Sequence, residues 1–333
     1  MPYPRPAPFR ILNHAVAVLV FAAMSLTAHA GWSLVKVNGR DYVPGSDIKK
    51  FYAFTSYRVN DKAVSFNLAN FTMSGTVGSQ ILMIKGIKFV LSFPIEKQGN
   101  EALFSRTDLV KLIDPVLRPE YIRGSPDFTT VVIDAGHGGH DSGAKGLHGV
   151  EKTFALKTSL LVAAVLKSKG YKVVLTRSDD TFVTLQGRAA IANKFPNAIF
   201  VSIHFNQSEG IAARGIETFA LSPPGTTSTI QRWAEPNLGA RRGNIHDAAN
   251  IALATAVHNG VLRRVAITKP VDRGIKRARF SVISGVMIPG ILFEGGFVGN
   301  PVEGRLVAHP TYQKMLAEGI VAGIENYRRA LKK

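Results

Sequence analysis

From residue 129 onward, short apolar runs alternate with longer amphipathic stretches. The runs at Thr129–Asp134 and Ala198–Phe205 are each built on three or more consecutive apolar residues, which is typical of strands buried on both faces of a sheet. Between them, Glu151–Lys169 repeats its apolar positions with helical spacing and ends at Gly170. This alternation predicts an α/β fold with a mostly parallel sheet flanked by helices on both faces. The other predicted elements are strands at Lys172–Arg177, Gly215–Leu221 and Gly290–Glu294 and helices at Thr184–Lys194, Asp247–Arg263 and Thr311–Leu331.

Residues 31–118 follow a different pattern, in which short strands are separated by turn residues. Asn38-Gly39 predicts a hairpin, and a second one is predicted between the apolar runs at 81–84 and 89–91. Short helices are predicted at Asp47–Tyr52 and at Leu109–Ile113, the latter ending before Pro115. The segment contains no histidine. We therefore predict a small α+β module at 31–118, a linker at 119–127 and a catalytic domain at 128–333.

The first 30 residues have the three-part composition of a secretory signal peptide. Arg5 and Arg10 provide the positive charge, the apolar run Ala15–Leu26 follows, and Ala28-His29-Ala30 forms a small-residue cleavage site. The apolar run is shorter than the roughly 20 residues that a membrane-spanning helix needs. We therefore expect cleavage near Ala30, a periplasmic or secreted location, and no transmembrane anchor.

The amino-acid composition limits the kinds of metal site and catalytic residue that the chain can contain. The chain has 333 residues, a formal net charge of +18 and no cysteine. The absence of cysteine excludes disulfides, thiolate metal sites and cysteine nucleophiles, so histidines and carboxylates must provide the ligands of any metal. The positive charge at first suggests nucleic acid. Because an exported protein does not meet genomic DNA, we expect no nucleic acid partner, and the charge indicates another acidic partner or surface.

Histidines and carboxylates follow the predicted strands where the strands end. His137 lies in a glycine-rich stretch after the first strand, His204 is near the end of the third, Glu294 ends the late strand and Glu151 begins a helix. Ligands of α/β sheets bind outside the carboxyl ends of the strands. A catalytic zinc ion takes three such ligands and leaves the fourth position to a water whose pKa falls to about 7, while another carboxylate moves the proton. The pattern therefore indicates zinc-assisted hydrolysis.

Other interpretations of these residues are weaker. His140 and His148 are rival ligands, but a loop this short would have to fold back sharply for them to share one ion with His137. The glycines lack the spacing of a dinucleotide or phosphate-binding loop. Neither a Gly-x-Ser-x-Gly elbow nor a His-Glu-x-x-His motif occurs in the chain.

At these residues the chain closely resembles the zinc-dependent N-acetylmuramoyl-L-alanine amidases of the bacterial cell wall. The resemblance runs from about Val131 to Tyr327. It rests on Ile133-Asp134-Ala135-Gly136-His137-Gly138-Gly139, Asp141-Ser142-Gly143-Ala144, Glu151-Lys152, Leu175-Thr176-Arg177, Leu185-x-x-Arg188, Ala192-Asn193, Ser202-Ile203-His204-Phe205-Asn206, Gly215-Ile216-Glu217-Thr218 and Glu294-Gly295-Gly296-Phe297-Val298-Gly299-Asn300.

The resemblance implies roles for individual residues. His137, Glu151 and His204 would bind one zinc ion, with water in the fourth position, and Glu294 would be the catalytic carboxylate. The implied reaction hydrolyses the amide between N-acetylmuramic acid and L-alanine of peptidoglycan, in cell-wall remodelling or daughter-cell separation. Peptidoglycan is then the partner, and an activator protein is a second partner that the family allows. The segment 31–118 resembles the copper-amine-oxidase N-terminal-like stalk module through Val37-Asn38-Gly39, Tyr42-Val43-Pro44 and Ser105…Leu112.

Several alternatives stay open at this point. A non-enzymatic wall-binding protein and a zinc peptidase acting within the stem peptide are both compatible with the fold. In related amidases, a segment corresponding to residues 222–245 can block the zinc, which makes Glu235 a candidate blocking carboxylate. The basic residues are either a solvated face or a contact surface for acidic stem peptides, and they are Arg241, Arg242, Arg263, Arg264, Arg273, Lys276, Arg277 and Arg279.

Overall fold

The computed structural model describes residues 32–123, 127–230 and 235–332. The predicted signal peptide at 1–30 lies outside these ranges, as does part of the predicted linker. None of the helices in these ranges is both long enough and apolar enough to cross a membrane.

The secondary structure follows the predicted order and adds several elements. The strands are β1 (Val35–Val37), β2 (Arg40–Pro44), β3 (Ser56–Val59), β4 (Ala63–Leu68), β5 (Phe71–Thr76), β6 (Ile81–Ile84), β7 (Ile87–Val90), β8 (Glu96–Gln98), β9 (Glu101–Ser105), β10 (Thr130–Ala135), β11 (Lys145–Gly146), β12 (Gly149–Val150), β13 (Lys172–Leu175), β14 (Ala198–Asn206), β15 (Ile216–Leu221), β16 (Asp272–Ala278) and β17 (Gly290–Phe297). The α-helices are α1 (Gly45–Phe51), α2 (Arg106–Asp108), α3 (Asp114–Leu117), α4 (Glu151–Ser168), α5 (Leu185–Ala192), α6 (Asp247–Arg264), α7 (Ser281–Gly285), α8 (Pro301–Ala308) and α9 (Pro310–Ala330).

The largest sheet is mixed, so the prediction of a mostly parallel sheet is wrong. Its strand order is β13-β10-β14-β17-β15-β16-β7-β6-β5-β4-β3. The first four strands are parallel, but β15 is antiparallel to β17, and β3 to β7 pair antiparallel. The reason is the connection after β14. A parallel strand needs a crossover of a dozen or more residues, whereas the short loop 207–215 starts β15 from the same sheet edge at which β14 ends.

Helices cover both faces of the part of this sheet that is formed by β10 and β13 to β17, as predicted. Val131 and Ile133 of β10 pack into a core that includes residues of α4, α6 and α9. Val132, between them in sequence, points to the opposite face and packs in a second core with residues of α5 and α7. Alternate residues of a strand face opposite sides of the sheet, which is why the consecutive residues Val131 to Ile133 of this strand are all apolar.

The N-terminal strands extend the catalytic sheet. β7 pairs parallel with β16, with Phe89 opposite Ile275. The backbone N–H of Lys88 donates to Oδ2 of Asp272 at 3.1 Å, and Nζ of Lys88 donates to the carbonyl of Asp272 at 3.1 Å. A guanidinium nitrogen of Arg277 donates to the carbonyl of Lys111. The two segments thus share a sheet and polar contacts, while their division at 119–127 stays a prediction.

The helix predicted to end before Pro115 continues beyond it. A π-helical turn, Leu109–Ile113, links α2 to α3, and α3 includes Pro115. In regular α-helical geometry the proline ring clashes with the carbonyl four residues earlier. The wider turn before Pro115 accommodates the ring, so this helix reaches Leu117.

Candidate metal centre

The loop after β10 presents the His137 side chain. His137 has a φ of 58°, in the left-handed region that is unusual for a residue with a Cβ. The turn is closed by reciprocal hydrogen bonds between the backbones of Gly138 and Asp141, at 2.9 and 3.1 Å. Nδ1 of the His137 ring lies 2.9 Å from Oδ2 of Asp141. A carboxylate in this position fixes the tautomer and the orientation of an imidazole.

Two buried arginines hold this loop in place. Arg177 donates to the carbonyls of Ala135 and Gly136 at 2.9 and 2.7 Å. Arg188 donates to the carbonyl of His137 at 2.6 Å and pairs with the fully buried Asp134 at 2.7 Å. These contacts position the backbone from which His137 projects, and they give Arg188 a structural role.

Glu151 begins α4, and its carboxylate is buried among hydrogen-bond donors. Oε2 accepts from the backbone N–H of Ala144 at 2.8 Å, and Oε1 accepts from that of Phe205 at 3.0 Å. Oε1 also lies 3.0 Å from Nε2 of His137 and 2.8 Å from Nδ1 of His204. Burial alone would raise the pKa of Glu151, but its hydrogen bonds with the two histidines hold the pKa well below its usual value.

Two glycines make room for this convergence. A Cβ at Gly136 would overlap the His204 ring, and one at Gly143 would lie 2.5 Å from Oε2 of Glu151. Ligand atoms of His137, Glu151 and His204 all lie within 4.8 Å of one another. Two imidazole nitrogens and one carboxylate oxygen suit zinc, which leaves a fourth position for water in catalytic sites. The residues present therefore fit a catalytic zinc ion.

Glu294 lies on β17, beside His204 on β14 in the strand register. Its side chain is 9% exposed, and Oε2 is buried without a hydrogen-bond partner among the described residues. Burial, followed by the negative charges of Glu151 and Glu217, raises the pKa of Glu294 well above its usual value. A buried carboxylate left without a partner is available for proton transfer.

The neighbouring carboxylate Glu217 has a different environment. Oε1 accepts from the Asn206 amide at 2.6 Å, and Oε2 accepts from Arg273 at 2.8 Å and from Lys276 at 2.5 Å. Burial would raise the pKa of Glu217, but Lys276 and Arg273 keep it below its usual value. Glu217 is thus an ionised, fully paired group that adjoins Glu294 without being free to react.

The other candidate residues lie elsewhere. The His140 ring packs on Phe182 with centroids 4.2 Å apart. Neither His140 nor His148 belongs to the group of convergent donors found among the described residues. Glu235, a candidate blocking carboxylate, accepts from the backbone N–H of Ser228 at 2.8 Å and from its hydroxyl. In this structure, Glu235 therefore does not join the metal cluster.

The basic residues that cluster in the sequence do not form one face. Arg277 is 1% exposed, and Arg264 pairs with Glu318 at 2.5 Å. Arg279 instead lines an open groove of about 480 Å³ that also contains the candidate metal ligands. The other residues of that groove are Leu185, Phe205, Asn206, Gln207, Phe280, Ser281, Val282, Leu292 and Glu294. Asp141 and Arg177 lie in motifs that carry the family resemblance, but the sequence analysis gave neither of them a role in the site.

Comparison with known proteins agrees with this geometry. Residues 131–326 match the family model described as N-acetylmuramoyl-L-alanine amidase. The amidase AmiC of Escherichia coli O6:H1 is 31% identical over 246 residues, which are 67% of this chain and 59% of AmiC. The chain thus spans about three-fifths of the length of that relative.

Solved structures give the same result. The catalytic domain of the amidase CwlV from Bacillus (Paenibacillus) polymyxa var. colistinus is 35% identical, with a TM-score of 0.50, and the match covers 60% of this chain and 97% of that one. The amidase AmiC2 of Nostoc punctiforme is 36% identical, also with a TM-score of 0.50, over 62% of this chain and 99% of that one. Because the family model alone matches more than half of its length, this chain belongs to the N-acetylmuramoyl-L-alanine amidase family.

Proposed function

We propose that the protein is an exported, zinc-dependent N-acetylmuramoyl-L-alanine amidase that cleaves peptidoglycan. The observation that carries this proposal is the convergence of His137, Glu151 and His204 beside Glu294, a buried carboxylate with an unpartnered oxygen. In a member of this family, that arrangement supports hydrolysis of the amide between N-acetylmuramic acid and L-alanine.

His137, Glu151 and His204 would hold the zinc ion. When bound, zinc supplies a Lewis acid that lowers the pKa of a water molecule and polarises a substrate carbonyl. Asp141 orients the His137 ring, and the backbone N–H groups of Ala144 and Phe205 fix the Glu151 carboxylate. Such supporting contacts keep ligands in position before the metal arrives, which lowers the cost of binding it.

Glu294 would move the proton. In its ionised form, the side chain accepts a proton from the attacking water; in its protonated form, it donates that proton to the leaving nitrogen of L-alanine. Oε2 has no competing hydrogen bond among the described residues, so nothing in this part of the chain must be displaced for either transfer. The raised pKa of Glu294 makes its ionised form a stronger base than an ordinary glutamate.

We further propose export through residues 1–30, with cleavage near Ala30, to the periplasm or the medium. The charged start, short apolar run and small-residue site of this segment support that route. Residues 31–118 would serve as a stalk-like module attached to the catalytic part, and an activator protein remains a partner to be sought.

Mass spectrometry of the products formed from purified wall sacculi tests the proposed reaction. An amidase releases intact peptides that begin with L-alanine and leaves glycan that still carries its lactyl groups. Products cut within the stem peptide would instead indicate a peptidase, and the absence of products from zinc-loaded protein would indicate a wall-binding protein. Either of these outcomes would overturn the proposed function.

A further inference from the structure

Arg279 is the only lysine or arginine among the described residues that line the groove. It follows β16 directly, and its backbone N–H donates to Oγ of Ser228 at 3.0 Å. Its guanidinium donates to the carbonyls of Pro223 and Thr226 at 3.5 and 3.4 Å, and to that of Gly239. These contacts fix the guanidinium against residues of the 222–245 segment.

The charge of Arg279 is not neutralised by these contacts. Carbonyl groups orient a guanidinium but carry no negative charge, and none of the ion pairs among the described residues includes Arg279. Its Nε is buried and has no hydrogen-bond partner in this part of the chain. Burial and the positive charge of Arg241 lower the pKa of Arg279, while the charges of Glu235 and Asp247 oppose this without forming an ion pair with it. An oriented guanidinium that has no ion-pair partner favours a carboxylate ligand.

The strand register places this charge away from the reacting groups. Glu217 lies opposite Glu294, and Leu221, four residues later on β15, lies opposite Ala278. Arg279 is thus five strand positions from the level of Glu294, or about 17 Å along the sheet at roughly 3.4 Å per residue. An extended peptide covers that distance in about five residues. The span matches a peptide held with its first amide at the metal cluster.

We propose that Arg279 determines substrate specificity by binding a carboxylate of the stem peptide, beyond the amide that is cut. This inference rests on the proposed amidase function and adds the chemical class of peptide that the groove takes. The walls between the two ends include Leu185, Val282 and Leu292, which suit the aliphatic parts of a peptide. The carboxylate comes either from an acidic residue within the stem or from the end of the stem.

The test uses four N-acetylmuramoyl-L-alanyl peptides that differ only in their carboxylates. One keeps both the internal and the terminal carboxylate, two have one of them converted to an amide, and the last has both converted. For the wild-type protein loaded with zinc, kcat/KM should fall about ten- to hundredfold when the recognised carboxylate is amidated. The singly amidated peptide that shows the fall identifies the source of the carboxylate.

Variants separate recognition from a structural role. In Arg279→Gln, cleavage of the peptide with both carboxylates should fall to the rate of its amidated counterpart, while cleavage of the fully amidated peptide stays unchanged. Arg279→Lys, which keeps the charge, should restore part of the preference. An equal loss on all four peptides would show that Arg279 only supports the loop, and would overturn the proposal.

The matched control is Arg242→Gln, which removes an exposed positive charge from the same segment but from outside the groove lining. Arg242→Gln should keep the preference for peptides that carry the recognised carboxylate. If Arg242→Gln loses this preference to the same extent as Arg279→Gln, the effect of Arg279 is one of general electrostatics and the proposal is overturned. If wild-type protein cleaves all four peptides equally, the amidase function stands and recognition by Arg279 is overturned. If it cleaves none of them, the amidase function itself fails.

Discussion

Glu217 and Glu294 are direct partners on the antiparallel strands β15 and β17, yet of these two described carboxylates only Glu217 forms ion pairs. Arg273 and Lys276 keep Glu217 ionised, and its negative charge in turn raises the pKa of Glu294. Two buried carboxylates on one face of a sheet thus have different roles because their neighbours differ. This pairing suggests that Glu217, on β15, partly determines the pH dependence of the enzyme through its effect on the pKa of Glu294.

Glu217→Gln should shift the acid limb of the pH–rate profile downward. The substitution removes a negative charge beside Glu294 and leaves the charges of Arg273 and Lys276, so Glu294 ionises at a lower pH. Because the base form is active, the limb of kcat/KM should move by about one pH unit toward acid. The profile of zinc-loaded variant and wild type, measured from pH 4 to 8, checks this. An unmoved limb, or one displaced toward higher pH, would contradict the coupling.

Asp141→Ala should weaken zinc binding without unfolding the protein. The carboxylate is 2.9 Å from Nδ1 of His137, and loss of such an orienting group costs about 10- to 100-fold in metal affinity. Competition with a chelator of known affinity gives the dissociation constant. Asp127→Ala is the control, since Asp127 is an exposed carboxylate paired with Arg328. Equal zinc affinity in Asp141→Ala and Asp127→Ala would show that His137 needs no orienting partner.

Gly136→Ala tests the close approach of backbone and ligand. A Cβ there would overlap the His204 ring, so His204 would have to leave its position and zinc affinity should fall at least tenfold. Gly210→Ala, where a Cβ meets no atom within 4 Å, should keep wild-type affinity. Zinc titration of both variants, with thermal unfolding as a check of folding, gives the comparison. Unchanged affinity in Gly136→Ala would mean that His204 is not a ligand in this position.

Asp272→Asn tests the junction between β7 and β16. The carboxylate accepts from the backbone of Lys88 and of Gly274 and lies 3.0 Å from Nε2 of the buried His258, so its replacement should cost about 2 kcal/mol of stability at pH 7. Burial raises the pKa of Asp272, but His258 and the backbone donors bring it below the ordinary value of 3.8. A depressed pKa contributes stability above pH 3.8 that is lost as pH falls.

Urea unfolding at several pH values checks both parts of this prediction. The stability advantage of the wild type over Asp272→Asn should be full near neutral pH and shrink as the pH drops below about 4. An advantage that is absent at pH 7, or one that grows toward acid, would contradict the assigned role of the carboxylate.

The order of most strands and helices after residue 129 could be predicted because most of its buried strands are rich in consecutive apolar residues. Strand direction could not, since it depends on the length and path of each connection, as the loop 207–215 shows. β16 was not predicted either. Asp272, Arg273 and Lys276 make its sequence polar, and in the sheet they pair with residues elsewhere in the chain: Arg273 and Lys276 with Glu217, and Asp272 with His258.

For the site, too, some residues could be predicted from the sequence and others could not. His137, Glu151, His204 and Glu294 were predicted from the sequence as site residues, and the structure brings the first three together beside the fourth. Contacts that depend on tertiary packing could not be identified. Arg177 donates to the loop that carries His137, and Arg279 donates to Pro223. In each case the two partners are more than 35 positions apart in the sequence.

The most direct test of the proposed mechanism is the zinc content and activity of Glu294→Gln on wall sacculi. The substitution keeps the shape of the side chain and removes its ability to accept the proton, while His137, Glu151 and His204 are untouched. The purified variant should bind one zinc ion per chain with wild-type affinity and release no stem peptides above the level of a zinc-free control. Peptide release near the wild-type rate would show that Glu294 is not the catalytic carboxylate, and loss of the zinc would place Glu294 among the ligands instead.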